Sequence, residues 1–152
     1  MDVSGYEAVR KKYDLPSFGE LDKEFEISLI EAESFILRNV RKKVGERFEL
    51  VINIVQRILQ PDTNSFADMY ECKFFKGSEK DAIFHLFKHL MHCYRQSVEL
   101  EILQDEKSDA EFVRSVTKEW REIKQGLLPF ISKLKMVWIE KDESKEHLEY
   151  LG

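Results

Sequence analysis

Three of the four histidines in this 152-residue chain lie close together, at His85, His89 and His92. Their spacing of four and then three residues brings all three imidazole rings to one side of an α-helix. Aligned imidazoles bind divalent metals, and they titrate near neutral pH. We therefore take these histidines as candidate ligands of zinc or another divalent metal, and a metal-binding or metal-sensing protein as one hypothesis for function.

The rest of the same segment argues for a simpler explanation, a polar face in contact with solvent. At about 100° per residue, the histidines lie almost opposite the predicted core-facing stripe. Lys88 and Arg95 flank them and would repel a divalent ion. His85 and His92 are about 10 Å apart along the helix axis, so only neighbouring histidines chelate one ion easily. Further ligands must then come from another helix or another subunit. The stripe comprises Ile83, Phe87, Leu90, Met91, Tyr94 and Val98.

Two other side chains could take part in chemistry. Glu33 falls inside the apolar stripe of a predicted helix over 27–44, where a carboxylate must be paired, hydrogen-bonded or protonated. It marks a buried polar network, a site, or a helix end that is less buried than the pattern implies. Cys93 lies beside the core stripe and is expected to act as a small buried hydrophobic residue. There is no ExxH pair, which argues against a carboxylate-bridged di-iron bundle.

The elements that must position these residues are all predicted to be helices. Nearly every segment repeats its apolar residues at helical spacing, and no window alternates like a half-buried strand. Ser17 with Glu20, and Ser108 with Glu111, have the spacing of capping boxes. Pro129 fits the first turn of a last helix. The predicted helices span 4–13, 18–25, 27–44, 46–60, 64–74, 78–104, 108–126 and 128–141.

These segments predict an all-α, single-domain helical bundle of five or more helices over residues 1–152, with fraying at 1–3 and 142–152. A chain of this length is long enough to bury a core. The segment 46–60 is apolar over most of its circumference, so it is expected to be the central helix. The helix over 78–104 would be about 40 Å long. Because this exceeds what so small a domain needs, part of it is expected to meet a partner.

Composition excludes several classes of protein. The net charge of −5 and the pI near 5.5 argue against a dedicated nucleic-acid binder. A nucleic-acid accessory role stays as an alternative, because residues 38–47 form a basic run and residues 73–95 carry excess positive charge.

No apolar run approaches the roughly 20 residues that span a bilayer. The N-terminus lacks the order of a signal peptide. The two cysteines, Cys72 and Cys93, have no CxxC spacing, so we expect reduced thiols in a cytoplasmic protein without membrane association.

No nucleotide-binding, hydrolase or metalloprotease motif is present. This favours a non-enzymatic protein and leaves open an active site assembled from residues far apart in the sequence. Eleven phenylalanines, five tyrosines and two tryptophans supply a large apolar surface for so short a chain. The main expectation is therefore a protein–protein interaction module that binds a protein partner or self-associates as a homo-oligomer such as a dimer. No cofactor is expected unless the histidines bind a metal.

Overall fold

The computed structural model describes residues 1–139, and within that range every regular element is a helix. The predicted all-α bundle is thereby confirmed. The residues beyond 139, which include the end of the predicted helix 128–141 and the segment 142–152, lie outside the described residues. The elements are α1 (Val3–Tyr13), α2 (Phe18–Phe25), a 3-10 turn (Ile27–Leu29), α3 (Ile36–Leu59), α4 (Phe66–Glu71), a second 3-10 turn (Cys72–Phe74), α5 (Gly77–Leu103) and α6 (Glu106–Met136).

The long helices α3, α5 and α6 form a three-helix bundle in which α5 runs antiparallel to the other two. Near one end of the bundle, Arg41 of α3 pairs with Glu101 at the end of α5. At the other end, Glu79 at the start of α5 pairs with Lys133 near the end of α6. Helix α3 packs against each of the other five α-helices, so it holds the central position predicted for residues 46–60. No described helix is both long and apolar enough to cross a membrane.

The predicted helix breaks between 27–44 and 46–60, at Gly45, and between 108–126 and 128–141 are both wrong. Helix α3 is continuous through Gly45, and α6 is continuous through Gly126 and Pro129. A β-carbon at Gly126 would lie 2.6 Å from Cδ2 of Leu86, and one at Gly45 would lie 3.3 Å from Oγ of Ser97. Both glycines therefore let α5 approach a neighbouring helix closely and do not end a helix.

Pro129 is accommodated because it lies on the exposed side of α6. A proline inside a helix leaves the carbonyl four residues earlier without its helical donor. Here that residue is Gln125, which is exposed as well, so water can satisfy the carbonyl.

The central helix α3 is less enclosed than its composition implies, since Leu50 is 55% exposed and Ile54 is 39% exposed.

The helix starts are fixed by short side-chain caps. The predicted capping box of α2 is confirmed: the Glu20 amide donates to Oγ of Ser17 at 3.2 Å, and the Ser17 amide donates to the Glu20 carboxylate at 2.9 Å. The box predicted at Ser108 is wrong, because α6 begins earlier and Asp105 caps it by accepting from the Ser108 amide at 2.9 Å. In place of the fraying predicted for residues 1–3, Asp2 caps α1.

A buried arginine joins the three long helices. The Arg41 side chain is only 2% exposed. Its Nε donates to Asp109 of α6 at 2.7 Å, one terminal nitrogen donates to the Ser97 carbonyl of α5 at 3.1 Å, and the other donates to Glu101. Burial raises the pKa of the Asp109 carboxyl, and the guanidinium offsets only part of this. A buried guanidinium is stable only when it is paired and hydrogen-bonded in this way.

We expect Arg41→Met to lower the free energy of unfolding by about 3–5 kcal/mol, because it leaves the Asp109 carboxylate buried without its partner. Urea unfolding followed by circular dichroism measures this. The double variant Arg41→Met with Asp109→Leu should regain most of the loss, since it removes both charges. Lys42→Met is the matched control, because Lys42 pairs with Glu101 on the surface. An Arg41→Met protein as stable as the wild type would contradict this account of Arg41.

Candidate functional site

Helix α5 carries the three candidate histidines, and its rotation about its own axis decides what they face. The bounds predicted for this helix are correct to within one residue. Its fully buried side chains, however, are Ile83, Leu90, Cys93 and Ser97. Phe87, Met91 and Tyr94, which sequence analysis places at the core, are only partly buried. Val98, from the same predicted stripe, is exposed. The core-facing centre is therefore rotated from the predicted direction by about 50°, toward Cys93.

This rotation divides the row of histidines. His85 and His92 are exposed, as the predicted outward face requires. His89 is half-buried at the edge of the interface with α6, and its Nε2 lies 3.4 Å from Oε2 of Glu119. The structure thus brings one of the three histidines to a carboxylate of another helix.

Cys93 completes a group of three ligand-type side chains at this interface. Its thiol donates a hydrogen bond to Oε2 of Glu119 at 2.6 Å. One ligand atom from each of His89, Cys93 and Glu119 lies within 4.8 Å of the other two. Burial, and then the adjacent Glu119 carboxylate, raise the pKa of the Cys93 thiol well above its ordinary value, which keeps the thiol protonated. We call these three residues the His89–Cys93–Glu119 cluster.

Sequence analysis correctly expects Cys93 to be buried but does not identify Glu119. The available signal is weak, because it is only the position of Glu119 on α6. Glu119 follows Val116 by three residues and precedes Ile123 by four, which places it at the edge of a buried stripe. The approach of that edge to Cys93 is a property of how α5 and α6 pack.

Of the three explanations offered for Glu33, the structure favours the last, a position that is less buried than the apolar pattern implies. Glu33 is exposed and lies in the connection before α3. Its apolar spacing depends on a helix that continues from residue 27 to residue 44. The chain instead forms a 3-10 turn, and α3 begins only at Ile36.

The basic run that suggests nucleic-acid binding is largely paired within the protein. Arg41 is buried in the network described above. Lys42 pairs with Glu101 at 3.3 Å, Lys43 with Glu46 at 3.2 Å, and Arg47 with Glu26 at 2.9 Å. These internal pairs leave the run with much less positive charge for a phosphate backbone than the sequence suggests.

The rotation of α5 also leaves a row of apolar side chains facing outward. Phe84 is 50% exposed, Val98 is 37% exposed and Ile102 is 80% exposed. Met91, halfway between Phe84 and Val98, is partly buried. Lys88 lies over the Phe84 ring at 5.4 Å, a cation–π contact on the same side of the helix. We call the row Phe84, Met91, Val98 and Ile102 the α5 outer face.

Comparisons with protein-family models, with curated proteins and with solved structures find no match to this chain. The geometry of the chain itself therefore carries the information about its function. Two features of α5 are the most informative in residues 1–139. They are the apolar outer face and the His89–Cys93–Glu119 cluster on the side that meets α6.

We expect the two cysteines to differ strongly in reactivity. Cys72 is partly exposed, whereas Cys93 is buried. Each single variant leaves one cysteine to react with iodoacetamide. In the folded proteins, Cys93 of the Cys72→Ser variant should be alkylated more than about 100-fold more slowly than Cys72 of the Cys93→Ser variant. A local opening free energy of about 3 kcal/mol is enough to produce this factor. Mass spectrometry of timed samples gives both rates, and denaturant should abolish the difference. Rapid alkylation of Cys93 in the folded protein would contradict its placement.

Proposed function

We propose that this protein is a non-enzymatic helical interaction module that self-associates through the α5 outer face. The observation that carries the proposal is the row of exposed apolar side chains on a helix whose other sides pack against α3 and α6. Apolar surface gains about 25 cal/mol for each Å² removed from water. Contiguous exposed patches of this kind commonly mark interaction sites.

The spacing of the row supports a second helix as the partner. Phe84, Met91 and Val98 are seven residues apart, and Ile102 follows one turn later. A seven-residue apolar repeat is the pattern by which two helices pack along their length. With 27 residues, α5 is about 40 Å long, which provides room for several layers of side chains.

The charge distribution supports an antiparallel copy of the same helix. Within α5, residues 77–95 carry Lys80, Lys88 and Arg95 against Glu79 and Asp81, whereas residues 96–103 carry Glu99 and Glu101 and no basic residue. Antiparallel pairing places the basic half of each α5 opposite the acidic end of the other. Parallel pairing would place like charges together, which is unfavourable. The nucleic-acid alternative receives less support, because the basic run of α3 is paired internally.

We expect the wild-type protein to sediment as a dimer. Phe84→Ser and Ile102→Ser should each weaken the dimer by about tenfold or more, the loss typical when a contributing interface side chain is truncated. Stability within the monomer should change by less than about 1 kcal/mol, because both residues are exposed. Sedimentation equilibrium at several concentrations gives the dissociation constants. Raised salt should also weaken the dimer, through screening of the antiparallel charges.

Leu50→Ser provides the matched control. Leu50 is a similarly exposed apolar residue, but it lines a groove with Phe25 and Glu26 on the α2 side of α3. Its substitution should leave the dimer intact. A wild-type protein that stays monomeric at high concentration would contradict self-association. A dimer weakened as much by Leu50→Ser as by Phe84→Ser would contradict the assignment to the α5 outer face.

A further inference from the structure

We propose that the His89–Cys93–Glu119 cluster binds a divalent transition-metal ion of the zinc type at the interface of α5 and α6. The inference is independent of self-association, because it uses a different side of α5 and different residues. The donors are an imidazole nitrogen, a thiolate sulfur and a carboxylate oxygen, all of which are common zinc ligands. A set containing nitrogen and sulfur favours late first-row metals over magnesium and calcium.

The helix geometry already places the three donors around a common point. His89 and Cys93 are four residues apart on α5, so their side chains are neighbours on one side of the helix. Glu119 comes from α6, which packs against that side. The site thus takes two ligands from one helix and the third from its neighbour, as sequence analysis requires of any metal site built on these histidines.

Of the two donor distances to Glu119, one matches a tetrahedral zinc site and the other must lengthen. Zinc bonds of about 2.0 Å to nitrogen and oxygen, and about 2.3 Å to sulfur, imply tetrahedral separations of about 3.3 Å for nitrogen to oxygen and about 3.5 Å for sulfur to oxygen. The observed distance from Nε2 of His89 to Oε2 of Glu119 is 3.4 Å. The observed distance from Sγ of Cys93 to the same oxygen is 2.6 Å, that of a hydrogen bond. Replacing the thiol proton by a metal ion requires these two atoms to separate by about 1 Å, which a small rotation of the half-buried Glu119 side chain provides.

The charges around the cluster also favour a cation. The sequence raises the objection that Lys88 and Arg95 would repel a metal. In the structure Lys88 lies over the Phe84 ring at 5.4 Å and Arg95 over the Tyr94 ring at 5.7 Å. His89 lies 3.4 Å from the Glu119 carboxylate, and it binds a metal as the neutral imidazole, so as a ligand it adds no positive charge to the site.

Metal binding balances as a simple proton exchange. The Cys93 S–H bond breaks, its proton passes to solvent, and the sulfur forms a bond to the metal. Neutral His89 and the Glu119 carboxylate each donate a lone pair. The two positive charges of the ion are then matched by one thiolate and one carboxylate, so that the site is neutral overall. A neutral site costs less to place in a half-buried interface than an isolated charge does. Three protein ligands leave one tetrahedral position open to water or to an external ligand.

Cobalt(II) titration of the purified, untagged full-length protein tests the site directly. One equivalent should produce thiolate-to-cobalt charge transfer and the intense visible bands of tetrahedral cobalt, and zinc should displace it. Cys93→Ser, His89→Gln and Glu119→Gln should each weaken zinc binding by about 100-fold or more, since each removes a ligand. Saturating zinc, at about 100 times its dissociation constant, should raise the thermal midpoint of the wild type by about 5–10 °C but not that of Glu119→Gln.

The chain supplies matched controls for the histidine and cysteine ligands. The double variant His85→Gln with His92→Gln, and the single variant Cys72→Ser, should bind zinc as the wild type does. Circular dichroism without metal shows whether each ligand variant is folded, and Glu119→Gln keeps the shape of the side chain in case Cys93→Ser does not fold. The proposal is overturned if the wild type gives no cobalt–thiolate band. It is equally overturned if binding is lost in the His85/His92 variant or in Cys72→Ser but retained in Glu119→Gln.

Discussion

Helix α5 packs against α3 and α6 at the same time, and this requirement fixes its rotation. The two contacts are unusually close where they meet Gly45 of α3 and Gly126 of α6. Because α5 has a neighbour on each of two sides, the direction between them faces the core. That direction contains Cys93 and Ser97 as well as Ile83 and Leu90. Both candidate functional features follow from it, since His89 is brought to the edge of α6 and the row from Phe84 to Ile102 is left outside.

Electrostatic contacts at the two ends of the bundle keep the helices in register. At one end, Arg41 binds side chains of both α5 and α6 from its buried position in α3. At the other end, Lys133 of α6 pairs with Glu79 of α5 at 2.8 Å. A buried ion pair adds little net stability, but breaking it is costly, which penalises packings that would separate its members. This register sets the positions of Glu119 and Cys93 opposite each other, near the middle of both helices.

The sequence predicts those helix bounds that depend on local chemistry. The bounds of α1, α2 and α5 are predicted to within one residue. Caps such as Ser17 and the periodicity of the apolar residues depend only on residues that are close together in the sequence. The division of helices at Gly45, and at Gly126 with Pro129, follows a local rule by which glycine ends a helix and proline fits the first turn of the next one. Their actual surroundings, a neighbouring helix for the glycines and solvent for the proline, are tertiary facts. The apolar spacing around Glu33 continues past the true start of α3 at Ile36, so it does not reveal that Glu33 lies outside the helix.

The rotation of α5 cannot be predicted from its sequence for a more specific reason. Apolar residues cover more than one side of this helix, so its pattern fits a core centred on Phe87 and Tyr94 about as well as one centred on Leu90 and Cys93. Only the positions of α3 and α6 distinguish the two. For the same reason the histidines could be recognised as candidate ligands, whereas Glu119, the carboxylate beside one of them, could not be selected from the acidic residues of the chain.

Cysteine scanning of α5 measures this rotation most directly. In a background lacking Cys72 and Cys93, single cysteines are placed along the helix and alkylated under native conditions. Protection should be greatest at positions 83, 90, 93 and 97, and rapid reaction should occur at 84, 85, 92 and 102. A protected face centred on positions 87, 91 and 94, with position 93 reactive, would contradict the packing on which both the outer face and the His89–Cys93–Glu119 cluster depend.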